Sequence, residues 1–310
     1  MQAEADVGAI VRRAFPGCRV GACQSLAGGI SARPVLVEIV LGDQTPRRVV
    51  VRRPTWPTPE ETLRRVRAEY AALGRCAALG IAAPPPCFLD LEASALVLEY
   101  VAGAPEFTPA ALERSAGLEQ LAAQLARIHC IPGSAELDVL PRRSAHIEQN
   151  LRQPPARLDE SLGEARLRAA LSRLGPWQPA QAEVLLHGDY WPGNVLWREG
   201  KLAAVLDWEE AALGEPLADL GVSRLDILWA FGAEAMSTFT RSYAEHAEID
   251  ARQLARWDLC AALRPMSDLP RWAAGYARPP ICRPDITESS MREGHRWFVE
   301  QALRSLGLDG

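Results

Sequence analysis

Two short apolar runs, each broken by a polar segment that carries a carboxylate, constrain this chain more than any other feature. The first is VLLHGDYWPGNVLW at residues 184–197 and the second is VLDWE at residues 205–209. Glu199-Gly200 makes a turn between them, so residues 194–197 and 202–206 read as the two strands of one hairpin. Such a hairpin is expected to bring Asp189, Asn194 and Asp207 towards a common point. Two carboxylates and an amide form a hard-oxygen set suited to Mg²⁺ with bound phosphates. The chemistry this points to is phosphoryl transfer.

Composition narrows the remaining classes. The chain has 310 residues, 48% hydrophobic and 24% charged, as in ordinary globular proteins, and is long enough for two lobes around a substantial core. A formal net charge of −5 argues against a nucleic-acid partner, while leaving room for a locally basic phosphate pocket. No stretch approaches the ~20 uninterrupted apolar residues of a membrane span, so no membrane partner is expected. Residues 1–13 carry Glu4 and Asp6 in place of the basic and apolar regions of a signal peptide. The seven cysteines are scattered without a CxxC pair, which reads as structural thiols in a reducing cytoplasm, not a disulfide framework or zinc site. Lys201 is the only lysine; every other basic side chain among the 34 is arginine.

The N-terminal third reads as hairpin, helix, hairpin. QSLAGGISA at 24–32 is a small-residue loop, followed by strands at 35–41 and 48–53 around a turn at Gly42-Asp43. A glycine loop lets backbone N–H groups approach phosphates closely, although a Gly-Gly pair by itself marks only a turn. Thr58-Pro59-Glu60-Glu61 signals a helix start, with Thr58 as N-cap, Pro59 at the first position and Glu61 closing a capping box. Leu63, Val66, Tyr70 and Leu73 recur at helical spacing. Glu69 lies on or beside that face, where an acid either has a partner or sits at a solvated edge. A second hairpin at 88–91 and 95–101 ends at a Gly/Pro-containing break over 103–109, a boundary between lobes.

Beyond the break the pattern is mainly helical. Leu118, Leu121, Leu125 and Ile128 form a stripe ending at His129, which reads as a cap or core residue and not as a catalyst. GEPLADLG at 214–221 is a turn feeding a helix through Phe231, with Asp219 as its N-cap. Further helices are expected at 236–247, 251–263 and 286–306. The proline-containing segment 264–283 reads as an exposed connection.

HGDYWPGN at 187–194 resembles the catalytic loop of the aminoglycoside phosphotransferase family, small-molecule kinases of protein-kinase-like fold. LDWE at 206–209 is similar to that family's metal-binding segment, and GEPLADLG to the turn and helix that follow it. Upstream, the glycine loop, RVVVRRP, the helix with Glu69 and the LVLEYV strand occur in the family's order, so the resemblance covers residues 20–230. It implies an α+β bilobal protein-kinase-like fold. A small antiparallel-sheet lobe with one helix would bind nucleotide over residues 1–102. A larger, mainly helical lobe over 103–310 would carry the catalytic hairpin and the substrate site.

The implied activity is Mg²⁺-dependent transfer of the γ-phosphoryl group of ATP or GTP to a hydroxyl of a small molecule. Asp189 would orient or deprotonate the acceptor hydroxyl, and Asn194 and Asp207 would bind the metal. Gly28, Gly29 and Ser31 would cover the phosphates, Glu99, Tyr100 and Val101 would form the nucleobase hinge, and His187 and Asp219 would support the loop. Trp191, Glu209, Asp226, Trp229 and Trp272 are guesses for the acceptor lining, where carboxylates and indole faces suit a cationic or sugar-bearing molecule. The chain departs from the family where a phosphate-anchoring lysine is usual on the third strand. Arg52 follows the apolar run there and would pair with phosphate and Glu69, whereas Arg53 would face the other way. The alternative reading is a nucleotide-binding pseudokinase acting as an interaction module. A Mg²⁺-dependent phosphatase or nuclease would leave the glycine-loop lobe unexplained.

Overall fold

The computed structural model describes residues 2–26, 34–114, 116–175 and 182–308. The chain forms two compact units, one of Met1–Gly103 with Ala203–Glu210 and one of Ala104–Leu202 with Ala211–Gly310.

In the first unit, helix α1 (Gln2–Ala14) precedes strands β1 (Arg19–Ser25), β2 (Val35–Val40) and β3 (Pro46–Arg52). Helix α2 (Pro59–Ala78) and strands β4 (Pro86–Asp90) and β5 (Ala95–Glu99) follow. The five strands make one antiparallel sheet in the order β1-β2-β3-β5-β4. Alternation along β3 decides its two faces. Val49 and Val51 join Val37, Ile39, Ala95 and Val97 in a core closed by Val7, Ile10 and Val11 of α1. Val50 and Arg52 point to the opposite face, and α2 packs on β4 and β5. Arg53 returns to the α1 face and pairs with Asp6.

Among the described residues this unit carries a second α-helix, α1, beside the one expected. In α1 the apolar residues Val7, Ile10 and Val11 recur at helical spacing but are diluted by small residues, and β1 is a strand for which no expectation was stated, its last two residues lying in the expected loop 24–32. The start of α2 follows its sequence signal in part. Thr58 Oγ1 accepts the Glu61 N–H at 3.1 Å and Pro59 occupies the first turn, but the Glu61 carboxylate does not close a capping box. It takes Arg65 Nε at 3.1 Å, one turn on.

The second unit opens with α3 (Pro109–Arg114), α4 (Gly117–His129), α5 (Arg143–Arg152) and α6 (Glu164–Arg173). Strand β6 (Val184–Leu186) pairs with β9 (Ala212–Gly214). Strands β7 (Val195–Arg198) and β8 (Lys201–Val205) form the expected hairpin, and β8 runs on into the first unit. Helices α7 (Pro216–Ala244), α8 (Ala251–Ala262), α9 (Leu269–Tyr276) and α10 (Glu288–Leu306) complete the unit. The two helices expected on either side of residue 232 form one element bent at Gly232, whose φ of 88° only glycine adopts readily. A buried bidentate pair, Arg224 Nε to Asp258 Oδ1 at 3.0 Å and Nη2 to Oδ2 at 3.1 Å, ties α7 to α8. The segment 264–283 is not merely an exposed connection. It contains α9, which buries Leu269, Ala273 and Tyr276.

All seven cysteines are free thiols. No helix among the described residues is long and apolar enough to cross a membrane.

Candidate active site

The loop after β6 leaves a buried strand and is pegged from below. Leu185 and Leu186 are fully buried, as is His187. Asp219, one turn inside α7, accepts the backbone N–H of His187 at 2.6 Å and of Gly188 at 2.9 Å. It is therefore not the helix N-cap read from sequence; Glu215 occupies that position. Burial by itself would raise the Asp219 carboxyl. His129, hydrogen-bonded to it, together with the charges of His187 and Arg143, outweighs burial and holds it below the usual carboxylate range. His129 Nδ1 meets the Tyr243 hydroxyl at 2.7 Å, so this histidine is part of a buried support and not of the chemistry. The Asp189 N–H donates to His187 Nδ1 at 3.2 Å, and the Tyr190 carbonyl accepts the Ser223 hydroxyl at 2.6 Å. Four consecutive residues of the loop are thus fixed by groups of α7 or by each other.

Asp189 emerges from this support with its side chain about a third exposed (31%). Asn194, at the end of a tight 3₁₀ turn (Pro192–Asn194), donates Nδ2 to the Asp189 carbonyl at 3.0 Å and to Oδ2 at 3.1 Å. With its nitrogen committed to Asp189, its Oδ1 is the atom able to face a cation. Gly193 is required between them, since a Cβ there would lie 2.3 Å from the Trp191 ring. On its other side Asp189 Oδ1 receives Arg264 Nη2 at 2.5 Å. Arg264 Nη1 lies 3.6 Å from Asp226 Oδ2, and its guanidinium sits 5.7 Å from the Trp272 ring. Burial would raise Asp189, but Arg264, with smaller help from His187 and Asn194, holds it below the usual range. Asp226 behaves oppositely. Burial pushes its carboxyl up to about 7, Arg264 pulls it down, and the like charge of Asp189 raises it again.

In the first unit a second cluster gathers on Arg52. Its Nη1 pairs with Glu69, and its Nη2 lies 2.9 Å from Asp207 Oδ1 and 3.4 Å from Glu209 Oε2. Three carboxylates thus face one guanidinium. Burial pushes the Glu69 carboxyl up to about 7; Arg52 opposes this, and the charges of Asp207 and Glu209 add to it. Burial disfavours the Arg52 cation, yet the three carboxylates together raise its pKa above the ordinary arginine range. Asp207 itself sits at a φ of 64°, the left-handed region that aspartate tolerates better than most residues. The indole of Trp208 anchors the turn by donating to the Val205 carbonyl at 3.0 Å.

The oxygen donors fit a hard cation. Asp207 in the first unit has one oxygen on Arg52 and a second that could face a metal, and Asn194 in the second unit has an amide oxygen of the type that suits Mg²⁺. Among the described residues no three His, Cys, Asp or Glu side chains gather as a metal cluster by themselves.

The other expected residues fall in different places. Gly28, Gly29 and Ser31 lie outside the described residues. The hinge differs in detail from its reading. Glu99 pairs through its side chain with Arg47, and its N–H donates to the Pro85 carbonyl at 2.9 Å. The Tyr100 N–H is spent on the Arg48 carbonyl at 3.1 Å, which leaves Val101 as the hinge residue whose N–H bonds nothing among the described residues. Glu209, grouped with the acceptor lining, instead belongs to the Arg52 cluster. Trp229 is buried and donates Nε1 to the Met291 carbonyl at 2.9 Å, so its polar edge serves the core, while its ring meets Trp272 edge-on at 6.0 Å. Trp191 is half-buried and packs edge-on against Phe107 and Tyr276, at 5.4 and 5.9 Å between centroids. Arg264, Phe107 and Tyr276 were not read from the sequence. Each lies in a stretch whose local pattern reads as a loop or connection.

Comparison with known proteins places the chain by family and fold. The model of the phosphotransferase enzyme family (APH) matches residues 22–257. A search of curated protein sequences returned no significant match. Among solved structures, macrolide 2'-phosphotransferase MphH from Brachybacterium faecium is similar with a TM-score of 0.63 at 21% identity, over 99% of this chain and 98% of that one. Aminoglycoside 2'-phosphotransferase-IIIa, solved as its GDP complex, has a TM-score of 0.62 at 16% identity, over 98% and 97%. Choline kinase LicA from Streptococcus pneumoniae has a TM-score of 0.57 at 16% identity, over 99% of both chains. At these identities the likeness is one of fold, and the fold is the kinase-like one, a small antiparallel-sheet part and a larger helical part. With a family model spanning most of its length and that fold throughout, the chain belongs to the phosphotransferase enzyme family.

Proposed function

We propose that this phosphotransferase moves the γ-phosphoryl group of Mg²⁺-bound ATP or GTP to a hydroxyl of a small molecule, with Asp189 as the residue that meets the hydroxyl. The observation that best supports the reading is the joint fixing of Asp189 and Asn194. The amide nitrogen of Asn194 holds the Asp189 carboxylate, which leaves its oxygen as the atom that would meet a metal. Asn194 and Asp207 would hold Mg²⁺, Arg52 and the glycine loop with Gly28, Gly29 and Ser31 the phosphates, and Val101 the nucleobase. A metal bound there would supply neutralisation of phosphate charge.

Asp189 accepts a hydrogen bond from the acceptor hydroxyl and aims its oxygen at the γ-phosphorus. The new O–P bond forms as the bond to the β-phosphate oxygen breaks; that oxygen keeps the electron pair, and the hydroxyl proton passes to Asp189. In a loose transition state the proton leaves late, so a carboxylate held ionised serves by orientation more than by basicity. His187 and Asp219 keep the loop in place. Trp191, Asp226 and Trp272 would line the acceptor, and carboxylate and indole together suit a cationic or hydroxyl-rich molecule, as macrolides, aminoglycosides and choline are for the similar proteins.

The test is Asp189→Ala assayed with Mg²⁺-ATP and Mg²⁺-GTP against a panel of hydroxylated amines, sugars and macrolides. Turnover should fall by about 10³-fold or more with nucleotide affinity little changed. A fully active variant would remove the assignment. A nucleotide-binding pseudokinase is the second reading, favoured by the engagement of Arg52 with three carboxylates in place of a lysine. It would bind nucleotide and turn over no acceptor of the panel.

A further inference from the structure

Asp189 is restrained at both oxygens, by Asn194 on Oδ2 and by Arg264 on Oδ1. Arg264 reaches it from 75 positions away, just past the end of α8, where its own N–H closes on the Ala261 carbonyl at 3.0 Å and aims the side chain. Its guanidinium is fixed on further sides, by the Asp226 carboxylate on α7 and by the Trp272 indole on α9. Asp226 is 6% exposed, and its carboxylate makes no hydrogen bond among the described residues; its ion-pair partner is Arg264. A buried carboxylate without a cation is costly, so the place of Asp226 is accounted for by the guanidinium it holds.

A tie between helices does not account for the arrangement, because Arg224 and Asp258 already join α7 to α8 by a buried bidentate pair. What Arg264 adds is a hold on the one carboxylate of the loop that stands partly open. A carboxylate offers about four lone-pair sites; Arg264 and Asn194 take one each, and those left point in directions the two contacts have set.

We propose that Arg264 is a positioning residue for phosphoryl transfer, fixing the Asp189 carboxylate for the acceptor hydroxyl with Asp226 as its counter-ion. The proposal rests on the reading of Asp189 as the residue that meets the hydroxyl. A reacting group misplaced by an ångström costs on the order of 10²-fold in rate, whereas binding of the nucleotide does not depend on where Asp189 points.

The test uses the full chain with Mg²⁺-ATP and water as acceptor, read as ATP hydrolysis, together with crystal structures of the variants. Arg264→Met should lower kcat by about 10- to 100-fold with KM for ATP within about twofold. Arg264→Lys should recover part of the loss, and millimolar guanidinium should restore part of the activity of Arg264→Ala, which a merely structural role would not allow. In the Arg264→Met crystal the Asp189 carboxylate should leave its place or divide between rotamers while residues 186–188 stay. An unchanged Asp189 rotamer, or a kcat loss that neither lysine nor guanidinium recovers, would overturn the proposal. Asp189→Asn separates it from the reading on which it rests. If that variant hydrolyses ATP as the wild type does, the role of Asp189 fails. If it is inactive while Arg264→Met matches the wild type in rate and rotamer, only the role of Arg264 fails.

Discussion

The Asp219 carboxylate accepts the His187 N–H at 2.6 Å and, through its other oxygen, the Gly188 N–H at 2.9 Å, so one fully buried acid holds two peptide groups of the catalytic-type loop. Replacing it by alanine leaves both N–H groups buried and unpaired, each at about 1–3 kcal/mol. Asp219→Ala should therefore lose about 3 kcal/mol or more of stability, measured as a lower urea midpoint with an unchanged slope. Asp219→Asn, which keeps one acceptor, should lose less.

Arg52 and Arg53 are neighbours on opposite faces of the sheet, one on Glu69, Asp207 and Glu209 and the other on Asp6. Arg52→Ala is expected to weaken Mg²⁺-ATP binding by about tenfold or more, because it removes the cation proposed to meet the phosphates and leaves three carboxylates facing one another. Arg53→Ala breaks an exposed pair worth about 0–1 kcal/mol and should leave nucleotide affinity within about twofold. Isothermal titration of both variants decides it; equal effects would undo the argument from strand alternation.

Gly193 lies under the Trp191 indole, where any Cβ meets ring carbons at 2.3–2.7 Å. Gly193→Ala should displace Trp191 or the 3₁₀ turn and with it Asn194. Phosphoryl transfer should drop by about tenfold or more while the melting temperature moves by only a few degrees. Trp191→Ala in the same chain should relieve the clash and recover part of the activity.

Asp226 titrates near neutrality in the folded protein, its carboxyl raised by burial from the ordinary 3.8 to about 7. The folded state therefore keeps a proton that the unfolded chain has released. The stabilisation this provides is complete below the unfolded value of 3.8 and is lost as pH rises towards about 7. Chemical denaturation between pH 4 and 8 should show wild-type stability falling across this window more steeply than that of Asp226→Asn, whose amide does not titrate. Parallel curves for the two proteins would contradict the assignment.

Much of the first unit was legible because strand alternation and the cap at Thr58 are local signals. Val49, Val50, Val51 and Arg52 announce their faces by position alone, and Glu69 stands out as an acid on a helix face that is otherwise apolar. Helix α1 escaped because Val7, Ile10 and Val11 are too few and too scattered among alanines and glycine to announce a helix face. The segment 264–283 misled for a different reason. Its prolines disfavour a long helix, yet Pro270 sits in the first turn of α9, where a proline is tolerated, and the short helix buries only one face. Glu209 was offered for the acceptor lining as a carboxylate suited to a cationic molecule, but the turn at the positive φ of Asp207 is followed by a short 3₁₀ helix (Trp208–Glu210) that brings Glu209 to Arg52.

Residues 184–209 determined by themselves the elements that matter most, a buried strand, a polar loop and a hairpin, because period-two burial and turn residues act over a few positions. They also offered Asp189, Asn194 and Asp207 as the candidates for a metal and a hydroxyl, since few other side chains in so short a span could serve either. What sequence could not decide is which distant charges each acid would meet. Arg264 comes to Asp189 across 75 positions and Asp219 to the loop across 31 and 32, contacts that depend on how α7 and α8 pack and not on any local pattern. Electrostatics in a buried site depends on distance and desolvation. Asp189 is therefore held ionised while Asp226, one guanidinium away, is pushed to about 7, a division that only the tertiary structure decides.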